Sequence, residues 1–105
     1  MSHRCLVSIF IPTYNQPQLL SRCLLSVRSQ TLNKNNYSII LMDDQSSADY
    51  DAVIAEYQDL TIERVINKSN LGAVPNMLHC IKYPVDTPYK IVFHEDDIMY
   101  PDLLE

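Results

Sequence analysis

The 105-residue sequence contains a single glycine, Gly72. The loops that cradle phosphates in dinucleotide-binding and P-loop proteins need several glycines, because the backbone must approach the phosphate oxygens closely. The sequence therefore excludes both of these devices. If the protein binds a nucleotide, another group must neutralise the diphosphate.

Basic residues and long apolar runs are also scarce. Eight Lys and Arg residues against 13 Asp and Glu residues give a net charge of −5, whereas nucleic-acid binding needs a basic face. We therefore expect no nucleic-acid partner. The apolar runs are far shorter than the ~20 residues of a membrane-spanning helix, and the opening residues do not resemble a signal peptide. We expect a cytoplasmic protein without a transmembrane segment, either free or peripheral to a membrane.

The chain has three cysteines, Cys5, Cys23 and Cys80, which are widely spaced and have apolar neighbours. An odd number at such spacing favours reduced, buried thiols over a disulfide framework or a cysteine-based metal site. The length fits one domain, which we expect to span residues 1–105.

Apolar segments of strand length recur along the chain. They lie at residues 5–12, 37–42, 61–66 and 89–94. Apolar residues at helical spacing separate them, which gives the order βαβαβαβ. This order predicts an α/β, Rossmann-like fold with a parallel sheet in strand order 3-2-1-4 and helices on both faces.

The predicted helices have recognisable starts. Pro17 opens the first, and Ser46 or Ser47 is expected to cap the second. Pro75 is expected to begin the third. The apolar residues of this third helix that we expect to face inward are Met77, Leu78 and Ile81.

Acidic residues follow two of the predicted strands directly: Asp43 and Asp44 after the second, and Glu95, Asp96 and Asp97 after the fourth. Ligands bind at the carboxyl ends of parallel strands. Clustered carboxylates repel one another and need either water or a cation. Oxygen-rich clusters suit Mg²⁺ or Mn²⁺, which would also neutralise a diphosphate. The alternative is that these residues are ordinary turn formers and helix caps.

Four segments carry a resemblance to a known family. They are "VSIFIPTYNQPQLLSRCLLSVRSQT", "IILMDDQSS", "NKSNLGAVPN" and "IVFHEDDIMYPDLLE". In order and spacing they resemble the opening strand and helix, the D-D-x-S segment, the N-x-G loop and the D-x-D strand of the family 2 glycosyltransferases. The match runs from Val7 to Glu105, and it implies the nucleotide-sugar-binding half of a GT-A fold.

The resemblance also implies roles for individual residues. Thr13 and Tyr14 match positions that line the nucleotide base pocket, and Asp44 matches the aspartate that hydrogen-bonds the base, usually uracil. Glu95 matches a position that touches the ribose in some members. Asp96 matches the last aspartate of the D-x-D motif, which holds Mn²⁺ or Mg²⁺ between the two phosphates.

His94 departs from the family pattern, because it stands where the first aspartate of the D-x-D motif is expected. Imidazole suits Mn²⁺ better than Mg²⁺. His94 is therefore either a further metal ligand or a packed histidine that never meets the metal.

The function implied is transfer of a sugar from a nucleotide-diphosphate sugar, most simply a UDP-sugar, to an acceptor such as a polysaccharide or a lipid-linked glycan. In this family the acceptor site and the general base follow the D-x-D strand. We therefore expect residues 1–105 to be a truncated donor-binding region that is inactive alone. The alternative is a non-catalytic nucleotide-diphosphate or metal-binding module, or a degenerate remnant.

We also expect the sheet edge beside the fourth strand to be partly uncovered. The apolar residues concerned are Ile91, Phe93, Ile98 and Met99. Exposed strand edges and apolar patches favour pairing between chains. The sequence therefore predicts self-association through this edge.

Overall fold

The computed structural model describes residues 5–47 and 50–94. Its strands are β1 (Val7–Thr13), β2 (Tyr37–Asp43), β3 (Ile62–Ile66) and β4 (Tyr89–Val92). The helices in this part of the chain are α1 (Pro17–Arg28), α2 (Asp51–Glu56) and α3 (Ala73–Lys82), with a short 3₁₀ turn at Lys34–Asn36. The strands pair in the order β3-β2-β1-β4, and every neighbouring pair is parallel. The predicted topology is confirmed.

The central strands β1 and β2 are apolar along almost their whole length because both of their faces are covered. On one face Ile9 and Leu41 pack with residues of α1 such as Leu24. On the other face Phe10 and Met42 join a smaller core around α3. Helices therefore lie on both faces of the sheet, as the sequence predicts.

The start of α2 differs from the prediction. The helix begins at Asp51, and its N-cap residue is Tyr50, which makes no side-chain cap hydrogen bond. The prediction that Ser46 or Ser47 caps this helix is wrong. Their hydroxyls instead bind the loop after β1, where the Asn15 N–H donates to Ser46 Oγ and Ser47 Oγ donates to Asn15 Oδ1.

The orientation of α3 also differs. The helix begins at Ala73 rather than at Pro75, and Leu78 and Ile81 are exposed. The buried residues of α3 are Asn76 and Cys80. The prediction that Leu78 and Ile81 face inward is therefore wrong. Asn76 has hydrogen-bond partners in the interior, and α3 is therefore oriented with this polar side chain toward the sheet.

The described residues include two of the four apolar residues behind the predicted self-association at the edge beside β4. Ile91 and Phe93 are half-buried and pack against the main core. Ile98 and Met99 lie outside the described residues. Self-association through this edge stays a prediction.

All three cysteines are free. Cys23 and Cys80 are buried, whereas Cys5 is half-buried rather than fully buried as expected. Burial raises the pKa of the Cys80 thiol to about 11, so this thiol is protonated at neutral pH. Across residues 5–47 and 50–94, no helix has the length and apolar character needed to cross a bilayer.

Lys90 on β4 ties the edge of the sheet to the C-terminal end of α3. Its ammonium donates to the carbonyl oxygens of Cys80 at 3.1 Å, Ile81 at 2.9 Å and Tyr83. The same nitrogen lies 4.9 Å from the centre of the Phe10 ring. Cationic groups at a helix C-terminus satisfy the last carbonyls and interact favourably with the helix dipole.

We predict that Lys90→Met lowers the free energy of unfolding by about 2 kcal/mol, because it keeps the aliphatic stem but removes a charged donor shared by three carbonyls. Urea denaturation measures the effect as a lower midpoint at an unchanged slope. Lys82→Met, on the exposed side of α3, is the matched control and should change the midpoint little. Equal midpoints for the two variants would contradict this role of Lys90.

Candidate functional site

A cleft of about 450 Å³ opens at the carboxyl ends of the strands. It lies where β1 is flanked by β2 on one side and β4 on the other, which is the expected ligand position in a parallel sheet of this order. Four residues named from the sequence line it: Thr13, Tyr14, Asp44 and His94. Glu95 and Asp96 lie outside the described residues.

Asp44 is 3% exposed, and its carboxylate is held by three N–H donors. Oδ1 accepts from Asn67 Nδ2 at 3.0 Å and from the Leu71 N–H at 2.7 Å, and Oδ2 accepts from the Gly72 N–H at 2.9 Å. Burial raises the pKa of Asp44, but these hydrogen bonds outweigh it and hold the pKa below its ordinary value of 3.8. Asp44 is therefore ionised at neutral pH and can only accept hydrogen bonds.

Asp43, the preceding carboxylate, has a different partner. It is 1% exposed and accepts from Arg64 at 2.5 Å and 3.0 Å through Oδ2, while Oδ1 accepts from the Ser46 N–H at 3.0 Å. The Arg64 guanidinium also lies 5.5 Å from the centre of the Tyr50 ring. The cation that Asp43 needs is therefore Arg64 rather than a metal ion.

Thr13 and Tyr14 come directly after the apolar part of β1. Thr13 is 2% exposed, and its buried Oγ1 has no hydrogen-bond partner among the described groups. An unpaired buried hydroxyl is costly, which makes it a candidate ligand contact. Tyr14 is 47% exposed, so part of its ring is accessible from the cleft.

Hydrogen bonds connect the loop after β1, which carries Tyr14, with the loop after β2, which carries Asp44. Asn15 and Gln45 both adopt left-handed backbone conformations, with φ of 52° and 60°, which non-glycine residues seldom do. The contacts of Asn15 with Ser46 and Ser47 join the two loops, and Gln45 Nε2 donates to Lys68 O at 2.5 Å. These hydrogen bonds therefore connect the loops that carry Tyr14 and Asp44, both of which line the cleft.

The described residues do not by themselves hold a divalent cation. Within residues 5–47 and 50–94 there is no group of three or more histidine, cysteine, aspartate or glutamate side chains suited to a metal. His94 lines the cleft and is exposed. The predicted ligand Asp96 is only two positions further along the chain, so a Mg²⁺ or Mn²⁺ site there stays a prediction.

Several residues that shape the cleft were not assigned a role from the sequence. Gln16, Asn70, Gly72, Ala73 and Asn76 also line it. The density of asparagines in "NKSNLGAVPN" is a local signal for Asn70 and Asn76. Asparagine side chains supply both donors and acceptors, as a buried polar network requires.

Comparison with known proteins identifies the class. The family model of glycosyl transferase family 2 matches residues 8–105. Poly(ribitol-phosphate) beta-glucosyltransferase of Bacillus spizizenii is 37% identical over 75 residues, which cover 67% of this chain and 12% of the relative. The chain belongs to glycosyl transferase family 2, as its motifs indicate.

Solved structures show the same fold. S. aureus TarS (residues 1–349) in complex with UDP-GlcNAc superposes with a TM-score of 0.80 at 20% identity, covering 94% of this chain and 29% of that one. The mannosyltransferase PcManGT of Pyrobaculum calidifontis, in complex with GDP-Man and Mn²⁺, gives a TM-score of 0.72 at 15% identity, covering 92% and 29%. The GT-A fold is therefore confirmed. The chain spans less than a third of the length of each of these proteins.

We predict that Asp44→Asn changes how stability depends on pH. Because the folded pKa of Asp44 lies below 3.8, its ionised form stabilises the fold fully above that pH, and this contribution is lost as pH falls through the lower folded value. The asparagine variant should be less stable at neutral pH and should lose less stability on acidification. Denaturant midpoints measured between neutral pH and about pH 3 test this prediction. Parallel curves for the two proteins would contradict it.

Proposed function

We propose that this chain provides the donor-binding part of a glycosyltransferase that moves a sugar from a nucleotide-diphosphate sugar to an acceptor. The observation that carries the proposal is the ionised, buried Asp44 carboxylate at the cleft. Among the described residues Asp44 Oδ2 accepts from the Gly72 N–H, and a carboxylate oxygen can accept two hydrogen bonds. A nucleotide base can therefore donate to Asp44.

The proposed donor is a UDP-sugar. An ionised carboxylate accepts but does not donate, so it selects a base that presents a ring N–H, as uracil, thymine and guanine do. Tyr14, with part of its ring accessible, offers a surface on which the base can stack. The UDP-GlcNAc complex of TarS supports uracil, and the GDP-Man complex of PcManGT makes guanine the first competitor to test.

The proposed cofactor is Mn²⁺ or Mg²⁺, held by Asp96 with His94 as a further ligand, while Glu95 approaches the ribose. Oxygen-rich ligand sets suit these ions, and imidazole shifts the preference toward Mn²⁺. A bound ion supplies positive charge that stabilises the diphosphate leaving group. Support comes from the motif at residues 94–97 and from the Mn²⁺ present in the PcManGT complex.

The acceptor is proposed to be a hydroxyl of a polysaccharide or a lipid-linked glycan. The name of the Bacillus spizizenii relative, with poly(ribitol-phosphate) as its acceptor, supports a polymer. Transfer to a hydroxyl needs a general base. Asp43 and Asp44 are unsuited to this role because Arg64 and the three N–H donors already engage them. The reduced cysteines favour a cytoplasmic site of action.

Calorimetry with UDP, GDP and dTDP, each with and without Mn²⁺, tests the proposal. We expect UDP to bind most tightly and Mn²⁺ to strengthen binding. Asp96→Ala should remove the metal-dependent part of the affinity, whereas Asp44→Ala should lower affinity in both conditions by about 1.5–3 kcal/mol, as for a hydrogen bond to a charged group.

The matched control for these variants is Asp86→Ala, which removes an exposed acid that does not line the cleft. It should bind UDP as the unmodified protein does. Absence of binding by the unmodified protein would overturn the donor-site proposal. Equal affinities in the unmodified protein, Asp44→Ala and Asp96→Ala would favour a non-catalytic module with another ligand.

We predict that Thr13→Val separates ligand binding from stability. Because Thr13 Oγ1 is buried without a described partner, replacing the hydroxyl by a methyl group should leave the free energy of unfolding unchanged or raise it. If the hydroxyl serves the nucleotide, UDP affinity should fall about two- to tenfold, as for one ordinary hydrogen bond.

Thr87→Val is the control for Thr13→Val. The Thr87 hydroxyl donates to Tyr89 O at 2.9 Å and lies 2.8 Å from Ser8 Oγ, away from the cleft. Its loss should lower stability by about 1 kcal/mol and leave UDP affinity unchanged. A Thr13→Val protein that is destabilised but binds UDP normally would show that its hydroxyl is structural.

A further inference from the structure

We infer that His79, acting through Asn67, positions the Asp44 carboxylate in the cleft, although His79 itself is not among the residues that line the cleft. The role is that of a positioning residue, because His79 contacts neither the proposed nucleotide nor its sugar. The functional consequence rests on the proposed function, since it assumes that Asp44 receives the nucleotide base. The hydrogen-bond chain itself does not depend on that assumption.

Asn67 is the centre of this chain. It is 4% exposed, and its Nδ2 donates to Asp44 Oδ1 at 3.0 Å and to Asn76 Oδ1 at 2.8 Å. The orientation of Asn76 is fixed in turn because its Nδ2 donates to Met42 O at 3.0 Å. Both neighbours of Asn67 Nδ2 are therefore acceptors. A flipped Asn67 amide would place its oxygen against two other oxygens, one of them charged.

The orientation of the Asn67 amide determines which ring nitrogen of His79 carries the proton. Asn67 Oδ1 lies 3.1 Å from His79 Nδ1. Because a carbonyl oxygen only accepts, Nδ1 must carry the proton. The chain of donors thus runs in one direction, from His79 to Asn67 to Asp44. The neutral tautomer with its proton on Nε2 would leave Asn67 Oδ1 facing a lone pair.

The fold supplies the support for this chain. Asn67 directly follows β3, and its N–H donates to Asp43 O at 2.8 Å, so its backbone is held beside the end of β2. His79 lies on α3, where its ring meets Tyr83 edge-on with ring centres 6.0 Å apart. The other two donors to Asp44 are backbone groups of the loop before α3. Asn67 is therefore the one side-chain donor among these three, and His79 holds the opposite end of its amide by donating to Oδ1.

The first test is the tautomer of His79 in the unmodified protein. Long-range ¹H–¹⁵N correlation of the imidazole groups, recorded in mildly basic buffer, should show a protonated Nδ1 and an unprotonated Nε2 for His79. This measurement needs no variant to fold. A neutral His79 protonated on Nε2 would overturn the inference.

The second test compares His79→Leu with a rescue and a control. His79→Asn keeps an amide donor near the position of Nδ1, and Lys82→Leu places the same apolar residue at an exposed position one turn along α3. Carboxyl ¹³C titration follows Asp44. Its pKa should rise toward the ordinary value in His79→Leu, return in His79→Asn and remain low in Lys82→Leu. An Asp44 titration unaffected by His79→Leu would overturn the inference.

The third test is UDP affinity in the same variants. We expect a loss of about three- to tenfold in His79→Leu, as for one hydrogen bond, with recovery in His79→Asn and no change in Lys82→Leu. If the unmodified protein binds no nucleotide but the tautomer and the titrations are as expected, the donor-site proposal fails and the positioning role stands. If UDP binds and His79→Leu lowers only the thermal midpoint, the positioning role fails.

Discussion

A buried carboxylate must be paired with a cation or must accept enough hydrogen bonds to replace the water it has lost. Two such groups, Asp43 at the end of β2 and Asp44 directly after it, are satisfied differently by the fold. Asp43 is neutralised by Arg64, whereas Asp44 has three N–H donors and keeps its charge without a described cation. The rest of the site depends on this division, because only the second solution leaves a charged acceptor for a ligand.

The division follows from the geometry of the sheet. In the parallel register Leu41 lies opposite Arg64, and side chains two apart on a strand share a face, so Arg64 can reach Asp43. Asp44 follows the last residue of β2, and its carboxylate meets the loop that leads into α3 instead. The backbone donors at Leu71 and Gly72 belong to the "NKSNLGAVPN" segment. Asp43 therefore links β2 to β3 through Arg64, and Asp44 connects the sheet to the start of α3 at the cleft.

The sequence predicts the strands because they are apolar runs that a local pattern is sufficient to find, and their alternation with helices predicts a parallel sheet. It also points to Thr13, Tyr14 and Asp44, which line the cleft, since their motifs are contiguous. It does not predict the inward face of α3, because that face is decided by the pairing of Asn76 with Asn67 rather than by hydrophobic spacing. The pairing of Arg64 with Asp43 spans 21 positions and depends on strand register, which no local motif encodes. For the same reason His79 carries no sequence signal of its role.

The charge distribution around the cleft limits where a diphosphate can lie. None of the described residues that line the cleft is a lysine or an arginine, and one of them is the ionised Asp44. The Gly72 N–H, at the start of α3, already donates to that carboxylate. Like charges repel at short range, so the phosphates of a bound nucleotide should lie away from Asp44, toward the His94 side of the cleft. In the proposed function a divalent cation supplies positive charge to the diphosphate, and in the sequence His94 is followed by Glu95, Asp96 and Asp97. Acids cannot neutralise phosphates themselves, but they can hold a divalent cation that does.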